Sequence, residues 1–222
     1  MACEPLILGI VGAGARPRPM PRVVLFDVMD TLVVDPFFTG MHSSVFGCES
    51  LQELFAVKDP QTFLDFEHGR ITEVECHARY FLDRRPVDGD AVRAHLVSNY
   101  KYVEGMKDLC EELKKRGVIM ALCSNYPAPW AALLEDTMGL RQFAEWVSVS
   151  GRTGHRKPAP QAYTTALTVL GCEPADVVFV DDSHGNCVAA RELGIDSIRF
   201  ESALQLRGEL RARFGYPESE AS

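Results

Sequence analysis

A parallel α/β sheet covered by helices on both faces, with a small helical insertion, is the fold class this sequence predicts, and three observations predict it. Apolar runs of strand length recur at residues 23–26, 118–123 and 177–180, and each passes directly into polar residues. Segments with helical periodicity separate them, the alternation expected of a parallel sheet with crossover helices. Between about residues 36 and 101 the alternation stops: no strand pattern appears, and helix-start signals follow one another.

In chain order, residues 1–21 read as a flexible leader. Its apolar run from Pro5 to Val11 is preceded by Glu4, where a secretory signal carries positive charge. Gly9-Ile10-Val11-Gly12-Ala13-Gly14 has the outline of a dinucleotide loop without the βαβ unit around it. The prolines from Pro17 to Pro21 break any helix there, and an organelle-targeting remnant is the expected use of the segment. The first strand, at 23–26, delivers Asp27 to its carboxyl end.

Four short helices are then expected. Ser50 with Glu53, and Thr72 with Glu75, form capping-box patterns. Asp59-Pro60 opens a helix that carries Phe63 and Phe66 and stops at Gly69, and Asp90 is expected to cap the fourth. The sheet domain resumes with a helix through Met106, Leu109, Cys110 and Leu113, with Lys114 and Lys115 in its last turn and Gly117 ending it. Strands near 118–124, 146–150, 177–181 and 196–200 alternate with helices near 128–138, 159–170 and 185–193. A final helix opens at Ser202, with Gln205 completing a capping box. The expected organisation is a core of 22–36 and 101–215, a helical cap of 37–100 inserted in it, and a polar tail at 216–222.

Composition narrows the function classes. With 46% hydrophobic and 24% charged residues, the chain of 222 residues has the make-up of an ordinary globular protein with a sizeable core. A net charge of -8 argues against nucleic acid and anionic membrane surfaces as partners. No apolar stretch approaches the ~18 residues of a membrane span. Seven scattered cysteines without a Cys-x-x-Cys pattern read as reduced intracellular thiols.

The chemistry gathers at strand ends. Asp27 follows the first apolar run, Ser124-Asn125 the second and Asp181-Asp182 the third, while Lys157 precedes a proline-started helix. Open α/β sheets hold their ligands beyond the carboxyl ends of their strands, so these residues are expected at one edge. Singly, each has a plainer reading. Ser124 is then a strand-end hydroxyl, Lys157 a surface charge, and the acidic pair a helix cap. Asn186, four residues after Asp182, is expected to orient that carboxylate.

In order, these four segments resemble the motifs of the haloacid dehalogenase superfamily, over roughly residues 22–200. The resemblance implies a Rossmann-like core, a helical cap over the active site, and phosphoryl transfer to Asp27 followed by hydrolysis. It further implies Mg2+ bound by Asp27, Asp182 and the backbone carbonyl of Met29. Lys157 would pair with the nucleophile and Ser124 would hold the phosphoryl group, with Asp181 and Asn186 in support. Dehalogenases of the superfamily work without metal and lack the terminal acidic pair, so Asp181-Asp182 favours phosphate chemistry.

One position departs from the pattern. The phosphatases usually carry a second Asp two residues after the nucleophile, and here Met29 stands there. The missing acid is worth about 10²–10⁴-fold, and Asp30 is the nearest replacement carboxylate. The string Phe26-Asp27-Val28-Met29-Asp30-Thr31-Leu32, with Asp35-Pro36-Phe37-Phe38 and Ser124-Asn125-Tyr126-Pro127, resembles plant and algal members of the plastid FMN hydrolase type. That resemblance implies FMN as substrate and a plastid stroma location, the alternative being the cytoplasm. Asn125, Tyr126, Trp130, Phe37 and Phe38 are the candidate substrate contacts, since rings after strand ends can stack a flat ligand. Two alternatives stay open: another small phosphate as substrate, or a silent binding protein that has lost its acid.

Overall fold

The structure is a computed structural model and describes residues 21–215. The leader and its glycine-rich stretch, up to residue 20, and the tail from 216 lie outside the described residues.

Five strands form one parallel sheet: β1 (Val23–Phe26), β2 (Ile119–Ser124), β3 (Glu145–Val149), β4 (Val177–Asp181) and β5 (Asp196–Arg199), in the order β3-β2-β1-β4-β5. Strand order reverses at β1, so the residue after it stands at the switch point where open sheets hold ligands. Alternation along the strands buries both faces. Val24, Phe26, Met120, Leu122, Val178 and Val180 share one core cluster, and Val23, Leu25, Ala121, Cys123, Val177 and Phe179 the other. Near-continuous apolar runs in the three inner strands, β2, β1 and β4, are what a sheet covered on both sides requires.

The insertion after β1 holds five α-helices, one more than periodicity predicts: α1 (Met41–Ser44), α2 (Leu51–Val57), α3 (Thr62–Glu67), α4 (Glu73–Arg79) and α5 (Gly89–Asn99). The added one is a single turn, too short to show a period. Thr72 makes the full reciprocal capping box with Glu75, whereas Glu53 reaches back to Glu49 N–H and leaves Ser50 capping alone. Likewise Gln205 accepts from Glu201 N–H while Ser202 caps. The cap of α5 is Asp88, not Asp90: its carboxylate accepts from the N–H groups of Asp90 and Ala91.

The remaining helices are α6 (Met106–Lys115), α7 (Ala128–Met138), α8 (Ser150–Thr153), α9 (Pro160–Leu170), α10 (His184–Glu192) and α11 (Ala203–Phe214). Ser150 was expected to end a strand and instead starts α8, because its hydroxyl is drawn inward. It is bonded to Tyr126 N–H at 2.9 Å and to the carbonyl of Glu67 in the insertion at 2.7 Å.

The insertion meets the core at the starts of α7 and α8, which follow the carboxyl ends of β2 and β3. Gly69 lies so close to this junction that a Cβ on it would collide with the carbonyl oxygen of Gly151, and its φ of 70° is itself a glycine conformation. Arg156 bridges the same junction through Glu67 at 2.7 Å. The two connecting chains pair where they leave the core, Val34 N–H with Lys101 O and Val103 N–H with Leu32 O. Leu54, Phe66, Tyr80, Val92 and Leu96 of the insertion belong to the same apolar cluster as one face of the sheet.

Candidate active site

Asp27 is the first residue past β1, yet its N–H still donates to Val180 O at 2.8 Å, which holds it on the last rung beside β4. The turn that follows is tight: the N–H groups of Leu32 and Val33 both reach back to Val28 O at 2.9 Å. Lys157, 1% exposed, donates to Asp27 Oδ1 at 2.6 Å and to Asp181 Oδ2 at 2.7 Å. Its backbone is clamped by Asn125, whose carbonyl accepts from Lys157 N–H at 2.7 Å and whose amide donates to Lys157 O at 2.8 Å. Asn125, expected at the substrate, therefore spends both ends of its side chain positioning the lysine.

Asp181 is fully buried and heavily bonded, also accepting from Ser183 N–H at 2.8 Å and from Asn186 Nδ2 at 3.0 Å. The expectation that Asn186 orients Asp182 is thus corrected to Asp181. Ser183 begins the following helix and turns Asp182 outward, leaving Asn186 over the buried partner. Neither acid caps α10; Ser183 does.

Burial pushes Asp27 up to about 7, opposed by Lys157 and reinforced by Asp181. Burial also works against the Lys157 ammonium, but Asp27 and Asp181 overcome it and hold that lysine charged. Desolvation, then the nearby charges of Asp181 and Asp30, raises Asp182. One oxygen from each of Asp27, Asp181 and Asp182 lies within 4.8 Å of the others. Three carboxylates against one ammonium leave negative charge uncompensated, and an all-oxygen donor set of this spacing fits a hard divalent cation.

In the parallel register Phe26 faces Leu122, so Ser124 stands level with Val28, just past Asp27. Its hydroxyl is buried without a hydrogen-bond partner, as is that of Thr31. A buried hydroxyl without a partner is uncommon and suits an anionic ligand. Asp30 is exposed, with a left-handed φ of 56°, and its Oδ1 accepts from Asp35 N–H at 2.9 Å. One of its oxygens is thereby committed to shaping the turn. His155 and His184 are both exposed.

A cavity of about 260 Å³ runs from Met29 and Asn125 into the insertion, where Phe37, Phe38, Phe55, Phe63, Tyr126 and Trp130 line it. The predicted aromatic residues all reach it, but not equally. Trp130 is 8% exposed, stands edge-on to Phe66 at 5.3 Å, and donates its indole N–H to Glu73 at 2.8 Å. Tyr126 shares a hydrogen bond of 2.8 Å with Tyr100. Phe37 is half-buried, and Phe38, at 56%, is the most exposed of the set. Three charged residues on the wall, Asp35, Lys58 and Glu67, were not singled out by sequence reasoning as cavity residues. Asp35-Pro36 carries a helix-start signal, which conceals that burial pushes its carboxyl up to about 6. For Lys58 and Glu67 no local pattern tells a cavity wall from a solvated helix face.

Residues 21–194 match the family model for haloacid dehalogenase-like hydrolase. The chain is 35% identical to the chloroplast flavin mononucleotide hydrolase 1 of Arabidopsis thaliana, over 88% of this chain and 78% of that protein. It is 28% identical to phosphoglycolate phosphatase 1 of Pseudomonas aeruginosa, over 79% of this chain and 68% of the relative. A haloacid dehalogenase family enzyme from Bacteroides thetaiotaomicron, solved with magnesium and inorganic phosphate, superposes with a TM-score of 0.65 at 21% identity, covering 82% of this chain and 95% of that one. The family match, the ordered strand-end residues and the relatives' common activity agree: this chain belongs to the haloacid dehalogenase-like hydrolases, as one of their phosphatases.

Proposed function

We propose that this phosphatase is magnesium-dependent and releases riboflavin from FMN through an aspartyl-phosphate on Asp27. The observation that carries the proposal is how near the two halves lie: the cavity is lined at one end by Met29, two residues after Asp27, and by Asn125, which clamps the backbone of Lys157, and Lys157 in turn holds Asp27. Asp27 would attack phosphorus as the ester P–O bond breaks, and water would then hydrolyse the acyl phosphate, returning the carboxylate and inorganic phosphate. A carboxylate meeting a phosphate dianion needs positive charge held in place beforehand. Lys157 supplies one charge and fixes the attacking oxygen, and Ser124 offers its free hydroxyl to the phosphoryl group. Asp27, Asp182 and the carbonyl of Met29 would hold Mg2+, which when bound supplies the charge neutralisation that one lysine leaves incomplete. Asp181 acts through Lys157, and Asn186 through Asp181.

The cavity points to the leaving group. Its aromatic lining suits a flat ring better than a two-carbon acid, which agrees with the substrate in the Arabidopsis relative's name rather than that of the Pseudomonas one. The same relative supports a plastid location. The test is a comparison of FMN with phosphoglycolate and p-nitrophenyl phosphate, with magnesium and with chelator. FMN should give the highest kcat/KM, chelation should abolish turnover, and Asp27→Asn should remove it. A preference for phosphoglycolate, or turnover that survives Asp27→Asn, would overturn the reading.

A further inference from the structure

We propose that Lys58 is a specificity-determining residue: it selects leaving groups whose flat ring carries an electronegative or anionic edge on the side away from the phosphate. The inference deepens the reading of this cavity as the site of an aromatic phosphate ester and rests on it.

Lys58 lies on the cavity wall beside Phe37 and Phe55, where the insertion lines it, whereas Met29 and Asn125 mark the end nearest Asp27. Its backbone is fixed twice. Its N–H closes α2 on Leu54 O at 2.9 Å, and it bridges Phe81 of the neighbouring segment. Its ammonium sits 4.7 Å from the centre of the Phe55 ring and 6.0 Å from that of Phe37. No carboxylate among the described residues pairs with it. The two acids on the same wall are engaged elsewhere, Glu67 with Arg156 at 2.7 Å and Asp35 with Phe37 N–H at 2.9 Å. In a chain of net charge -8, it is notable that this half-buried cation has no carboxylate partner among the described residues. Desolvation lowers its pKa, so an acceptor from the ligand would relieve a cost already present. The aromatic faces hold the ammonium laterally and would flank a ring that enters beside it. An isoalloxazine has the required form, with carbonyl and imide groups along its outer edge.

The test uses the full chain with magnesium in three forms: wild type, Lys58→Met, which keeps the length without the charge, and Lys58→Arg, which restores charge. The substrates are FMN, p-nitrophenyl phosphate, naphthyl phosphate and a carboxylate-bearing naphthyl phosphate. One hydrogen bond to a charged group predicts a rise in KM of roughly tenfold for FMN in Lys58→Met, mostly sparing kcat and exceeding any change with p-nitrophenyl phosphate. Wild type should prefer the carboxylated naphthyl ester, Lys58→Met should lose that preference, and Lys58→Arg should recover much of it. Equal losses on all four esters, or an unchanged FMN KM, would overturn the proposal. If wild type ignores FMN, the flavin reading fails alone, and the naphthyl pair still decides the role of Lys58.

Discussion

The two ends of the cavity are built on opposite principles. At the sheet edge Asp27, Lys157 and Asp181 are buried, charged and locked in short hydrogen bonds between strand ends. In the insertion the wall is aromatic, loosely paired and partly open, with Phe38 and Phe55 about half exposed. On the proposed function the first end would meet the phosphoryl group that every substrate of a phosphatase shares, and its geometry is fixed by backbone and ion pairs. The second would meet the part that differs, where shape and the Lys58 ammonium would carry the discrimination. Rigidity would then follow what substrates share, and the more open surface what varies between them.

The sharpest way to break this comparison is to remove the cation at the rigid end. Lys157→Ala should lower kcat by at least ~10³-fold, as loss of a core catalytic group does. It should also destabilise the fold by about 3–5 kcal/mol, because two buried carboxylates lose their partner. Urea unfolding measures the second effect independently of the first; a stable, inactive variant would mean that the pair is not a structural element.

Trp130 tests whether the soft end is also a packing element. Trp130→Ala should cost about 3 kcal/mol or more, the usual loss for a large core ring, while raising KM for FMN more than for p-nitrophenyl phosphate. If stability falls and both KM values move together, Trp130 belongs to the junction with Phe66 and Glu73 and not to the ligand.

Met29 stands where the two ends meet, and its effect should depend on the leaving group. Without a carboxylic acid there, aryl phosphates should react faster than alkyl phosphates of equal fit. Met29→Asp should accelerate the alkyl esters by up to about 10²-fold. If Asp30 has taken the role despite its bond to Asp35 N–H, Asp30→Asn should instead slow the alkyl esters by a similar factor and Met29→Asp should gain little.

The smallest expected effect is that of Asp35. Burial raises its folded-state pKa from 3.8 to about 6, so the folded chain binds this proton more tightly than the unfolded chain between those values. The associated stability is complete below pH ~4 and is lost as pH rises through ~6, an effect of about 1–3 kcal/mol. Asp35→Asn keeps an acceptor for Phe37 N–H and should flatten that slope in unfolding curves measured at pH 4, 5.5 and 7. An unchanged slope would show that Asp35 is solvated like a surface acid.

Much of this was legible in the chain itself. Uninterrupted apolar runs at 23–26 and 177–180 specify strands buried on both faces, and strand-then-polar order specifies which residues reach the sheet edge. Thr72 with Glu75, or Ser183 before α10, act within one turn, so their signals are local and short. What only tertiary structure decided is pairing across distance. Asn186 over Asp181 rather than Asp182 depends on how α10 leaves β4. Asn125 clamping Lys157 joins segments 32 residues apart, and Ser150 turns inward to meet Glu67, 83 residues away. Side-chain bonds between remote segments leave no periodicity behind, because neither partner's neighbours record the other. For the same reason Lys58 reads as one more surface lysine in the sequence, and becomes a cation on a cavity wall, without a carboxylate partner among the described residues, only in the folded insertion.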